Sequence, residues 1–137
     1  MIEWSSRLDH AKVEDLKGCV LTSVQRIGDD EIVFKTAQGD VYRMAHLQEC
    51  CERVEIESIV GDLDDLIGSP VLLAEEVSSE GESAPYDYER YTWTFYKLAT
   101  IKGGVTIRWF GSSNGYYSES VDFLREIPAA EGEKANG

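Results

Sequence analysis

The sequence predicts a mainly β (β-rich α+β) fold of about eight strands and two short helices. Two related helix-plus-four-strand units would pack as a sandwich or roll into a barrel. Three observations predict it. Residues Thr92–Gly115, TWTFYKLATIKGGVTIRWFGSSNG, alternate with period two on either side of a Gly-Gly pair, the pattern of a β-hairpin with one apolar face. Turn residues such as Gly28-Asp29-Asp30 and Gln38-Gly39-Asp40 punctuate short apolar runs elsewhere. Finally, VEDLKGCVLTSV (Val13–Val24) resembles LDDLIGSPVLLA (Leu63–Ala74) at an offset of 50 residues.

In chain order, Met1 to about Asp9 reads as an arm. Asp9 can cap a short helix over His10–Lys17, with Val13 and Leu16 inward and Gly18 ending it. Strands are expected at Cys19–Arg26, Glu31–Ala37 and Val41–Ala45, and His46–Cys51 breaks the run. A fourth strand, Arg53–Ile59, places Val54 and Ile56 on one face and Glu55 and Glu57 on the other. Asp62 is a good cap for a second short helix over Asp62–Ile67. Ser69-Pro70 opens a strand at Val71–Val77, and Ser78–Glu89 reads as a mobile acidic loop. The hairpin follows, then an Asn114-Gly115 turn into a strand within Tyr116–Leu124; Pro128 begins a flexible tail, 128–137. The parallel between CCERVEI (Cys50–Ile56) and YSESVDF (Tyr117–Phe123) extends the repeat, giving units of about 10–60 and 61–127 within a single domain.

The hairpin register decides its core. A loop of Gly103-Gly104 alone would pair Ile101 with Thr106. A three-residue loop, Lys102-Gly103-Gly104, pairs Ile101 with Val105 and Ala99 with Ile107, which keeps apolar residues on one face. That register predicts Trp93, Phe95, Ile101, Ile107 and Trp109 in the core, with Arg108 on the opposite face.

At 137 residues the chain is long enough for a real core, and no apolar run approaches the length of a membrane span. The start, MIEWSSRLDH, lacks a basic segment followed by an apolar one, so no secretory signal is expected and the default location is cytosolic. Three cysteines, Cys19, Cys50 and Cys51, do not make a disulfide framework. The net charge is −13, and Glu49–Glu89 alone holds thirteen acids against one base, Arg53, a net of −12. That distribution argues against direct nucleic-acid binding, which needs Lys and Arg for the phosphates. It suits either a solvated surface or an acidic face for a basic protein partner, with Glu75, Glu76, Glu80, Glu82, Asp87 and Glu89 as its candidate residues.

Motifs for chemistry are few. His46-x-x-x-Cys50-Cys51 is the best candidate metal or thiol site, since in a helical turn His46 and Cys50 would share a face. In an extended strand Cys50 and Cys51 would point apart, and only His10 and Cys19 remain to complete a zinc set. A packed corner with a surface histidine is the plainer reading. FGSSNG lacks the lysine of a phosphate loop, and GDLDDLIG lacks calcium-loop spacing, so helix capping explains its aspartates. No cofactor or small-molecule substrate is implied. Tyr86, Tyr88, Tyr91, Tyr116 and Tyr117 lack basic neighbours and suit interface or core roles better than base stacking.

HLQECCERVEIESIVGDLDDLIGSPVLLAEE and YTWTFYKLATIKGGVTIRWFGSSNGYYSESVDF, within His46–Phe123, resemble a family of small phage and prophage proteins carrying an uncharacterised domain of unknown function. The resemblance implies a viral accessory protein in the host cytoplasm and brings no catalytic residues with it. Three functions are open. The first is a non-enzymatic acidic interaction protein acting on a host or viral protein, as an inhibitor or a mimic of nucleic acid. The second is a metal- or thiol-dependent enzyme centred on His46, Cys50 and Cys51. The third is a virion or scaffold component.

Overall fold

The computed structural model describes residues 7–47, 52–81, 90–113 and 119–127. The described chain is mainly β. Its strands are β1 (Arg7–His10), β2 (Leu21–Ile27), β3 (Glu31–Thr36), β4 (Val41–Ala45), β5 (Arg53–Val60), β6 (Leu73–Gly81), β7 (Arg90–Thr100), β8 (Gly103–Ser113) and β9 (Asp122–Ile127). They form two antiparallel sheets, ordered β1-β9-β4-β3-β2 and β5-β8-β7-β6. Neither sheet closes on itself, so the barrel alternative is set aside. One core joins the inner faces. Leu21, Phe34 and Met44 come from the first sheet, and Tyr96, Leu98, Ile107 and Trp109 from the second. At the seam the Trp109 indole N–H points at Met44 Sδ, 3.3 Å away.

The two expected helices are shorter than the sequence predicts. In place of His10–Lys17 the chain forms β1 and then a single 3-10 turn, Val13–Leu16. The backbone of His10 is held against Leu124 on β9, and Ala11 donates its N–H to the Phe123 carbonyl at 2.8 Å. Those long-range pairs take the residues that would start the helix, and too few remain to offset the cost of nucleating one. The second turn spans Leu63–Leu66, and Asp62 caps it as expected, its side chain accepting from the Asp64 N–H at 2.9 Å. β1 also brings the described strands to nine where about eight were expected.

Three further boundaries move. The supposed loop at Ser78–Glu89 begins as strand, because β6 continues to Gly81 opposite Tyr91. The last strand lies at Asp122–Ile127 rather than within Tyr116–Leu124, and the Asn114-Gly115 turn and the 128–137 tail fall outside the described residues. The hairpin tip is Ile101-Lys102: Thr100 pairs with Gly103, Leu98 with Val105 and Tyr96 with Ile107. This register differs from the expected one and reverses β7. Thr94, Tyr96, Leu98 and Thr100 face inward with Ile107 and Trp109, while Trp93 and Phe95 lie outside and Ile101 is 83% exposed at the tip. Thr100 settles the tip, since its hydroxyl donates to the Asp65 carbonyl and accepts from the Lys102 N–H.

The two halves have matching topology. Exchanging β2 for β6, β3 for β7, β4 for β8 and β5 for β9 turns the order β9-β4-β3-β2 into β5-β8-β7-β6. Each half therefore lends its last strand to the other's sheet. At the junction the hydrogen bonds are reciprocal: Gly18 N–H to Val71 O at 2.8 Å, and Gly68 N–H to Leu21 O at 2.9 Å. Gly18 and Gly68 both adopt positive φ, 84° and 89°, a conformation open to glycine and closed to most other residues.

Candidate functional site

His46, the centre of the expected metal or thiol site, lies where the chain leaves β4, and Glu52 where it enters β5. The His46 Nδ1 is 2.7 Å from the Ser120 carbonyl oxygen, which only accepts, so Nδ1 carries a proton. Its Nε2 is 2.7 Å from Glu52 Oε2, and the two side chains are only 4% and 0% exposed. With both ring nitrogens engaged, the imidazole ties the crossing between the sheets to the segment before β9. Ligating a metal through either nitrogen would cost one of these bonds. Cys50 and Cys51 lie outside the described residues. Cys19 is half-buried with its thiol 3.6 Å from the Asp15 carbonyl. Among the described residues no three His, Cys, Asp or Glu side chains gather at metal-ligand spacing.

The strand pleat divides the acidic segment. On β6, Glu75 pairs with Lys97 on the outer face, whereas Glu76 pairs with Tyr96 on the inner one. Glu80 pairs with Thr92 in the same ladder, and Glu82, Asp87 and Glu89 lie outside the described residues. On β5, Glu55 meets Arg53 at 2.9 Å and Glu57 meets Arg108 at 3.3 Å. Charges on the outer face of the second sheet are thus largely matched, and what distinguishes that face is aromatic.

Tyr91, Trp93, Phe95 and Phe110 stand half-buried there, on neighbouring rungs of β7 and β8. Phe110 packs against Tyr91 and Trp93, with ring centroids 5.1 and 4.7 Å apart. The Arg108 guanidinium lies 4.1 Å from the Trp93 ring centroid and 5.9 Å from that of Phe95. Sequence reasoning assigned Trp93 and Phe95 to the core and so missed this cluster. The available signal was Arg108 itself. A strand stripe that reads Thr106, Arg108, Phe110 is amphipathic, and aromatic partners opposite it belong outside.

Residues 11–123 match a family described as Domain of unknown function (DUF7448). No curated protein and no solved structure matches the chain. Among the described residues no helix is long and apolar enough to cross a membrane.

Proposed function

The chain belongs to the family described as Domain of unknown function (DUF7448), and from that premise we propose that it is a non-enzymatic interaction module that binds a basic protein. The observation that carries this reading is the outer face of the second sheet, with Trp93, Phe95, Phe110 and Tyr91 half-exposed around Arg108. Aromatic residues and arginine dominate the energetics of protein contacts. The net charge of −13 supplies the complement to a basic partner and would speed its approach. The His46–Glu52 pairing favours this reading over a thiol or metal enzyme, because the histidine is spent on structure. In keeping with the phage and prophage proteins it resembles, we place it in a host cytoplasm. The reciprocal junction and exchanged last strands support an origin by internal duplication.

The test is capture of a basic partner from host lysate, followed by association kinetics with the purified pair. Trp93→Ala and Phe110→Ala should each weaken binding about tenfold or more, and the association rate should fall as salt is added. Undiminished binding by the double variant would overturn the assignment of this face.

A further inference from the structure

A cleft of about 430 Å³ opens between the two sheets, lined by His10, Lys12, Glu14, Glu76, Asp122 and Phe123 among others. Its volume falls in the range of small-ligand sites, roughly 300–1,000 Å³. Three carboxylates, Glu14, Glu76 and Asp122, line it against one fixed cation, Lys12. Asp122 Oδ2 already accepts from the Leu47 N–H at 2.9 Å, while Glu14 and Glu76 have no ion pair among the described residues.

Behind this wall lies Tyr96. Its residue is 0% exposed, and its hydroxyl has no hydrogen-bond partner. An unpaired buried hydroxyl is costly, so such groups are uncommon and ask for an explanation. Tyr96 is the ladder partner of Glu76, so both side chains leave the second sheet on its inner side. The charges acting on the phenol come from the cleft: burial first, then Glu76, Asp122 and Glu14, raise its pKa, so the proton stays on the oxygen. A neutral phenol is both a donor and an acceptor, so without a partner its oxygen lone pairs stand open to an incoming N–H.

We propose that this cleft binds an organic cation, an ammonium or guanidinium group held by the carboxylates of Glu76 and Glu14 with the Tyr96 oxygen accepting one of its N–H bonds. A metal ion fits less well, since no three ligating side chains converge among the described residues. A group bearing only N–H donors matches a site bearing mainly acceptors, and charge-assisted bonds are the strong ones. The cation is either a free small amine or a Lys or Arg side chain of a protein. This site lies on the opposite face of β6 from the aromatic cluster, so it stands or falls separately from the interaction face proposed above.

The test uses the full chain at low ionic strength, titrated with 1,4-diaminobutane, methylguanidinium and a short Lys/Arg peptide, and followed by calorimetry and amide NMR. Saturable binding with shifts at Glu14, Glu76 and Asp122 is expected for at least one probe. Preference for the diamine or methylguanidinium identifies a free small cation, and preference for the peptide a protein side chain. Glu76→Gln and Tyr96→Phe should each weaken binding about tenfold or more, while Glu75→Gln, one residue away on the other face, should leave it unchanged. Tyr96→Phe should melt no lower than the parent, because the hydroxyl it removes is unpaired. No saturable binding by any probe, equal binding by Glu76→Gln and Tyr96→Phe, or a large loss of stability in Tyr96→Phe would each overturn the proposal.

Discussion

Trp93 and Trp109 stand on adjacent rungs of one hairpin, opposite Phe110 and Thr94 respectively, and point to opposite faces. Trp109 is 0% exposed and sits at the seam of both sheets, so Trp109→Ala should cost roughly 3–5 kcal/mol. Trp93 is half-buried on the outer face, and Trp93→Ala should cost about 1 kcal/mol. Denaturant unfolding of the two variants checks this, and equal losses would contradict the register. Tyrosine burial predicts an alkaline limit to stability. Burial raises the pKa of Tyr42, helped by the Asp40 charge, and raises that of Tyr96 further. The unfolded chain releases these protons near pH 10 while the folded chain holds them. Their contribution is therefore intact below about pH 10 and is lost as pH rises beyond it. Stability measured between pH 9 and 11 should fall less steeply in Tyr96→Phe than in the parent, and identical slopes would show that Tyr96 is not the cause.

At the scale of elements, local pattern and long-range pairing differ in how far the sequence discloses them. Val41–Ala45 was readable to the residue, and Glu31–Thr36 within one, because apolar alternation between two tight turns is a local property. β1 and β9 were not readable as partners. Their pairing joins Arg7 to Ile127, and no short-range signal reports it. The polar pairs that anchor β9 are equally remote: Arg43 to Glu126 at 3.0 Å and Arg125 to Asp40 at 3.0 Å. The same limit applies to the candidate sites. His46 stood out in the sequence, but its partners Glu52 and the Ser120 carbonyl come together only through the crossing of sheets. Amide exchange should follow this division of elements. β4 and β8 are each paired on both sides, whereas β1 is a four-residue edge strand. Slow exchange is expected in β4 and β8 and fast exchange in β1. Equal protection of β1 would mean that the N-terminal pairing is more than an edge addition.

For the whole molecule, the exchanged strands make the halves interdependent. The β2-β3-β4 meander needs β9 beside β4, and the β6-β7-β8 meander needs β5 beside β8. Without the other half, each three-stranded sheet would expose both its inner face and one strand edge, and neither is stable in water. The core contains residues of both halves, with Met44 and Trp109 meeting between them. Cutting the chain at Gly61, in the connection between β5 and the second 3-10 turn, should therefore give two fragments that are largely unfolded alone. Mixed, they should regain the strand signal and the environment of the buried tryptophan, because β5 and β9 each carry the missing edge of the partner sheet. Circular dichroism and tryptophan fluorescence of the separate and mixed fragments decide the matter. A fragment ending at Gly61 that folds as a stable monomer would show that the first meander closes its own core, and the strand exchange would then be a consequence of folding rather than its condition.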